Sequence, residues 1–118
     1  MTQDASTTPV LPPTVEAYLV AHATTAPRET ADLFTDEAVV SDDGRTYRGR
    51  DEIIGWRTDV ARSFTYTTTR LATARDDAEV TVTERLEGDF PGGRVDLRST
   101  FTMDPSGAIA ALRIGVVE

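Results

Sequence analysis

The sequence predicts an α+β domain: three helices followed by a curved antiparallel sheet that wraps around the longest of them, giving a cone with an internal pocket. Two observations carry this expectation. In the first half, apolar residues recur at helical spacing, at Val15, Tyr18, Leu19 and His22 and again at Ile53, Ile54, Trp56, Val60, Ala61 and Phe64. After Phe64 the pattern switches to alternation. Val80, Val82, Glu84 and Leu86 share one face of one strand, and Val95, Leu97, Ser99, Phe101 and Met103 share one face of the next.

Residues 1–13 are polar and punctuated by proline, which predicts a mobile tail ahead of a single domain over 14–118. Thr14 is the expected N-cap of a first helix that ends near Thr24. Pro27 suits the first position of a second helix, "RETADLF", that turns Leu33 and Phe34 inward. A short strand, Ala38 to Asp42, then enters an Asp43-Gly44 hairpin turn, and "RTYRG" returns as far as Gly49. Asp51 and Glu52 favour the start of the long helix electrostatically. Four long strands follow, separated by Asp76-Asp77, by "DFPGG" and by "DPSG". In "DFPGG", Gly92 and Gly93 supply turn torsions, Pro91 ends the incoming ladder and Asp89 bonds nearby amides. Phe90 is more than a turn requires, and it is expected to fold back on the sheet or helix as a structural plug.

With 118 residues the chain holds one domain and one modest core. The formal net charge of −8 opposes contact with phosphate backbones or anionic membrane surfaces, so neither nucleic acid nor membrane is an expected partner. All basic residues are arginine, a bias that suits a GC-rich, bacterial coding sequence. No cysteine is present, which removes disulfides, thiolate catalysis and thiolate metal sites. With one histidine, and with Asp42-Asp43 and Asp76-Asp77 lacking the alternating spacing of a calcium loop, no metal is expected. The first residues carry neither a basic nor an apolar signal region, so the expected location is cytoplasmic.

Three stretches give the chain a family likeness. "LFTDEAVVSDDGRTYRGRDEIIGW", "LEGDFPGGRVDLRSTFTMDPSGAIAALRI" and Tyr18 in the first helix resemble the nuclear transport factor 2-like superfamily over residues 14–117. SnoaL-like polyketide cyclases, ketosteroid isomerases and limonene epoxide hydrolases belong to it. The likeness implies a cone fold, no cofactor, and a small apolar or carbonyl-containing ligand. It also implies roles. Asp42 matches the proton-shuttling aspartate of the isomerases, and Tyr18 matches their oxyanion-donating tyrosine. Ser99 stands where they carry a protonated aspartate, and serine is the weaker donor. Arg85 and Glu87 match an Arg-x-Asp of the epoxide hydrolases, whose last-strand aspartate is replaced here by Ile114.

Further candidates come from the residues themselves. His22, one turn after Tyr18, has a side chain that titrates near neutrality and suits a cavity-lining base. Trp56 and Tyr66 offer flat apolar surface for a pocket mouth. Two functional classes follow. One is a cofactor-free acid–base enzyme (isomerase, cyclase, lyase or epoxide-opening) built on Asp42 and Tyr18. The other is a non-catalytic domain that binds a ligand or a protein partner. Both imply a homodimer, with Asp96, Arg98 and Thr100 in a row available for pairing across a two-fold axis.

Overall fold

The computed structural model describes residues 11–23 and 27–117, with His22 and Ala23 described as backbone alone. The elements in chain order are α1 (Pro13–Ala23), α2 (Pro27–Ala31), β1 (Phe34–Asp42), β2 (Arg45–Arg48), α3 (Gly49–Ser63), β3 (Tyr66–Arg75), β4 (Glu79–Gly88), β5 (Arg94–Met103) and β6 (Ile109–Val116). All six strands form one curved sheet in the order β2-β1-β6-β5-β4-β3. Helices precede the long strands, as the change from helical to alternating spacing predicts, and the architecture is the expected α+β cone. No helix among the described residues is long and apolar enough to cross a membrane.

The sheet differs from expectation in one respect: it is mixed. β1 runs parallel to β6, with Val40 beside Leu112 and Asp42 beside Ile114, while every other pair is antiparallel. Residue alternation reports which face a side chain takes and is blind to the direction of a neighbouring strand distant in sequence. β1 is also longer than the expected five residues. The second helix stops at Ala31, where Asp32 and Leu33 donate backbone N–H bonds to Arg28 and Thr30 (3.0 and 3.2 Å). The Leu33 carbonyl then accepts from Ile109 at 2.9 Å and draws the chain into the sheet. Phe34, expected at the end of that helix, opens β1 instead. It is still fully buried, and its carbonyl accepts both Nε and Nη2 of Arg50 (3.0 and 2.8 Å).

The core lies between the helices and the inner face of the sheet. Its aromatic centre is Tyr18, edge-on to Phe34 at 6.0 Å and to Phe101 at 5.3 Å. Packing reaches back past the expected boundary at residue 14, for Leu11 is buried in the same cluster. Residues 1–10 of the expected tail lie outside the described residues. Thr14 does not cap α1. The Pro12 carbonyl receives the N–H groups of Val15 and Glu16, and the Thr14 hydroxyl donates 2.6 Å across to the Gly107 carbonyl in the β5–β6 turn. Glu16 and Arg70 then tie α1 to β3 through two bonds of 2.8 and 3.2 Å.

Candidate functional site

The predicted alternation of β4 and β5 is borne out, and it fills the inner face with Val80, Val82, Glu84, Leu86, Ser99 and Phe101. Beyond Val82 and Phe101 the inner face continues with Glu84, Leu86, Leu97 and Ser99, which line a cavity of about 610 Å³. Its buried part holds Tyr18, Trp56, Arg57, Glu84 and Ser99. Asp43, Pro91, Arg94 and Val116 are exposed and form its rim.

Asp42 enters this cavity from the end of β1. The turn that follows has positive φ at both central residues, 54° at Asp43 and 78° at Gly44, and pairs Asp42 with Arg45. This is the tight hairpin expected of an Asp-Gly step. The Asp42 carboxylate is not spent on capping that turn: its Oδ2 accepts the indole N–H of Trp56 at 3.0 Å. Burial pushes the Asp42 carboxyl above the usual range, an effect the Trp56 bond and the nearby Arg57 oppose and Asp43 reinforces. Burial also raises the Tyr18 phenol, against the pull of Arg57.

Trp56 is held on α3, stacked on Tyr47 at 5.7 Å and 25°. The guanidinium carbon of Arg57 lies 4.7 Å from the Trp56 ring centroid, a cation–π contact. Nη2 of Arg57 donates to the Tyr66 hydroxyl at 3.1 Å. Tyr18, Asp42, Trp56, Tyr66 and Ser99 thus line one cavity. The His22 side chain lies outside the described residues.

Arg85 and Glu87 project from the opposite face of β4 and do not line the cavity. Arg85 turns from its same-strand neighbour to the cross-strand Asp96, which it grips through two bonds of 2.9 and 3.1 Å. The alternation that puts both residues on one face puts that face outside. Two inner residues were not singled out from the sequence, Arg57 and Glu84, which are 6% and 7% exposed. The available signal was a charged side chain in an apolar slot: Arg57 stands four residues after Ile53 on the helix stripe, and Glu84 interrupts the valine row of β4.

The "DFPGG" hairpin belongs to the site as well as to the frame. Phe90 packs edge-on against Phe64 at the end of α3 (6.1 Å), as a plug would, but both rings and Pro91 also line the cavity. Asp89 does bond a neighbouring amide, accepting Thr65 N–H at 2.7 Å. The approach is so close that a Cβ at Gly88 would collide with the Thr65 carbonyl oxygen and with Tyr66, so no larger residue fits there without moving the start of β3. Among the described residues, no three histidine or carboxylate side chains come together to hold a metal ion.

A six-stranded mixed sheet closed by helices over an acid-bearing cavity defines a nuclear transport factor 2-like protein. The chain belongs to that superfamily, and its structural neighbours are SnoaL-like polyketide cyclase and ketosteroid isomerase-like proteins. A candidate polyketide cyclase from Sinorhizobium meliloti is 30% identical, with 89% of this chain and 95% of that one covered at a TM-score of 0.83. A Catenulispora acidiphila protein of ketosteroid isomerase-like fold, solved in complex with trimethylamine, is 21% identical over 90% and 86% of the two chains, with a TM-score of 0.80. SalBIII, an epoxide hydrolase/cyclase-like enzyme described in pyran ring formation in the polyether salinomycin, is 17% identical over 88% of each chain, with a TM-score of 0.75. No protein-family model and no curated protein sequence matches.

Proposed function

We propose that this protein binds a small carbonyl-containing molecule in the cone and moves a proton on it, with Asp42 as the base and Tyr18 as an oxygen-facing donor. The observation that carries the reading is the Asp42 carboxylate, half-buried in a 610 Å³ cavity and held at one oxygen by Trp56. A base fixed at one oxygen presents the other in a defined direction, and partial burial brings its pKa closer to that of a working catalyst. The similarity to a candidate polyketide cyclase supports cyclase chemistry, and isomerase or epoxide-opening chemistry is proposed beside it from the family likeness of Asp42 and Tyr18. For epoxide opening, Ile114 on β6 stands where the likeness calls for a last-strand acid, and Glu84 is the second carboxylate of the cavity.

The test is deuterium exchange. A panel of cyclic and linear 1,3-dicarbonyl compounds, incubated with the protein in D2O and followed by proton NMR, should include at least one whose α-hydrogens exchange or shift position faster than in buffer. A compound that raises the melting temperature and comes back unexchanged favours the second reading, a binding domain without turnover. That reading draws support from Ser99 and Ile114, each standing where catalytic relatives carry an acid.

The protein is further proposed to be a cytoplasmic homodimer formed through the outer sheet face. Arg98 is exposed there and Thr100 half-buried, while Asp96 is already engaged by Arg85. Light scattering behind size-exclusion chromatography should return twice the chain mass at micromolar concentration. A single chain mass would count against the dimer.

A further inference from the structure

We infer that Phe90 is a specificity-determining residue of this cavity, clamping with Phe64 the apolar body of an elongated ligand whose polar end reaches Asp42. The inference takes that polar end from the proposed role of Asp42 and adds a length to the ligand.

Strand register shows how the cavity is graded. Asp42 pairs with Ile114, and Ile114 pairs with Ser99, so the three share one row across the sheet. Ser99 is buried. From it β5 runs through half-buried Leu97 and Val95 to Arg94, exposed at the rim. Leu97 pairs with Glu84, and one inner row further on Val95 pairs with Leu86. Along this path the polar lining ends at Glu84, and the rest of the way to the "DFPGG" hairpin is apolar.

Two rulers give the length of the path. Ser99 to Val95 is four residues of strand, about 14 Å at roughly 3.4 Å each. Trp56, which holds Asp42, and Phe64, which meets Phe90, are eight residues apart on α3 and its C-cap, about 12 Å at roughly 1.5 Å each. Val60 stands between them on the same helix face and lines the cavity. Helix and sheet thus agree that the acid end and the aromatic end lie about 12–14 Å apart.

Phe90 is a fixed wall at the far end. Asp89 accepts the Thr65 N–H at 2.7 Å and donates its own to the Thr65 carbonyl at 3.1 Å. The N–H of Gly88 donates to the Gly93 carbonyl at 3.0 Å, and that of Gly93 to the Phe90 carbonyl at 2.9 Å. A turn of this kind asks for no aromatic residue. A half-buried ring at a cavity mouth gains further burial when apolar matter fills the space beside it. A ligand shorter than the path reaches Asp42 without touching the ring. A longer one is gripped by both phenylalanines.

Straight-chain methyl ketones from 2-butanone to 2-undecanone are the probes, because they share one small polar end and differ only in the apolar chain. Trp56, the single tryptophan and a cavity residue, reports their binding by fluorescence. Affinity should rise about fourfold with each added methylene. Phe90→Ala should weaken the longest ketones about tenfold and leave the shorter ones unchanged, and Phe90→Leu should restore most of the loss. Should Phe90→Ala fail to fold, Val95→Thr carries the test, with a loss of about threefold confined to the long ketones. A loss equal at every chain length, an unchanged affinity for the long ketones in the variant that folds, or no binding of any ketone at its solubility limit overturns the inference. The outcome is separate from that of the deuterium-exchange experiment. A protein that exchanges no α-hydrogen still sorts ketones by length, and one that exchanges them but ignores length fails here alone.

Discussion

Phe34→Ala is expected to destabilise the fold by about 3–5 kcal/mol, the range for deleting a buried aromatic side chain. Phe34 is fully buried, and its ring meets Tyr18 edge-on at 6.0 Å. The substitution leaves a hole that the main chain cannot collapse into, because β1 is pinned there on both sides. Arg50 grips the Phe34 carbonyl, and the Leu33 carbonyl accepts from Ile109. Against a typical total of about 5–15 kcal/mol, a loss of this size leaves a marginal protein. In calorimetry the melting temperature should drop on the order of 10–20 °C. Phe34→Leu should recover more than half of the loss. A change below about 1 kcal/mol would mean that the ring is not a keystone of this core. The same substitution frees one edge of Tyr18, so ligand affinity should fall along with stability.

The fate of Phe34 also shows what could be read in advance. That it is buried was legible, since it closes an apolar pair after a polar run. That it belongs to a strand was not, because a helix and a strand start alike over four residues, and the decisive bond comes from Ile109, 75 positions away. The parallel pairing of β1 with β6 escaped for the same reason. By contrast, β4 and β5 were read correctly down to the facing of each residue, because alternation is a local signal and one face of each strand is buried.

The site divides along similar lines. Asp42, Trp56 and Tyr66 were picked from family likeness and ring chemistry, and they meet in one cavity. Arg57 was passed over because a charge in the sequence reads first as surface, and Glu84 was placed on the apolar face of β4 without being taken as a site residue. Both sit in slots that periodicity assigns to the interior, and that conflict between period and polarity was the signal. A buried charge in a patterned element is stronger grounds for attention than an exposed pair such as Arg85 and Glu87, whose alternation already points outward. The likeness suggested Arg85 as a catalytic partner, yet its guanidinium is matched to Asp96 on the far side of the sheet.

Asp42→Asn is expected to lower any proton-transfer activity by about 10²–10⁴-fold, the usual contribution of a positioned base. The amide keeps the side-chain shape, and its carbonyl oxygen can still accept the Trp56 N–H, so the cavity should stay intact. Stability should move the other way, and its pH dependence identifies the cause. Burial raises the carboxyl pKa in the folded protein above its unfolded value of about 3.9. Between those two values the folded state binds more protons than the unfolded state, so wild-type stability falls as pH rises through that window. Asparagine has no charge to desolvate. The variant should therefore melt like the wild type at about pH 3, well below the unfolded value, where the carboxyl is largely protonated in both states, and above it at pH 7. Chemical denaturation at the two pH values measures the difference. A variant that loses activity and is equally destabilised at both pH values would point to a broken cavity instead of a missing base. Retention of full activity would remove Asp42 from the chemistry and leave the cavity a binding site.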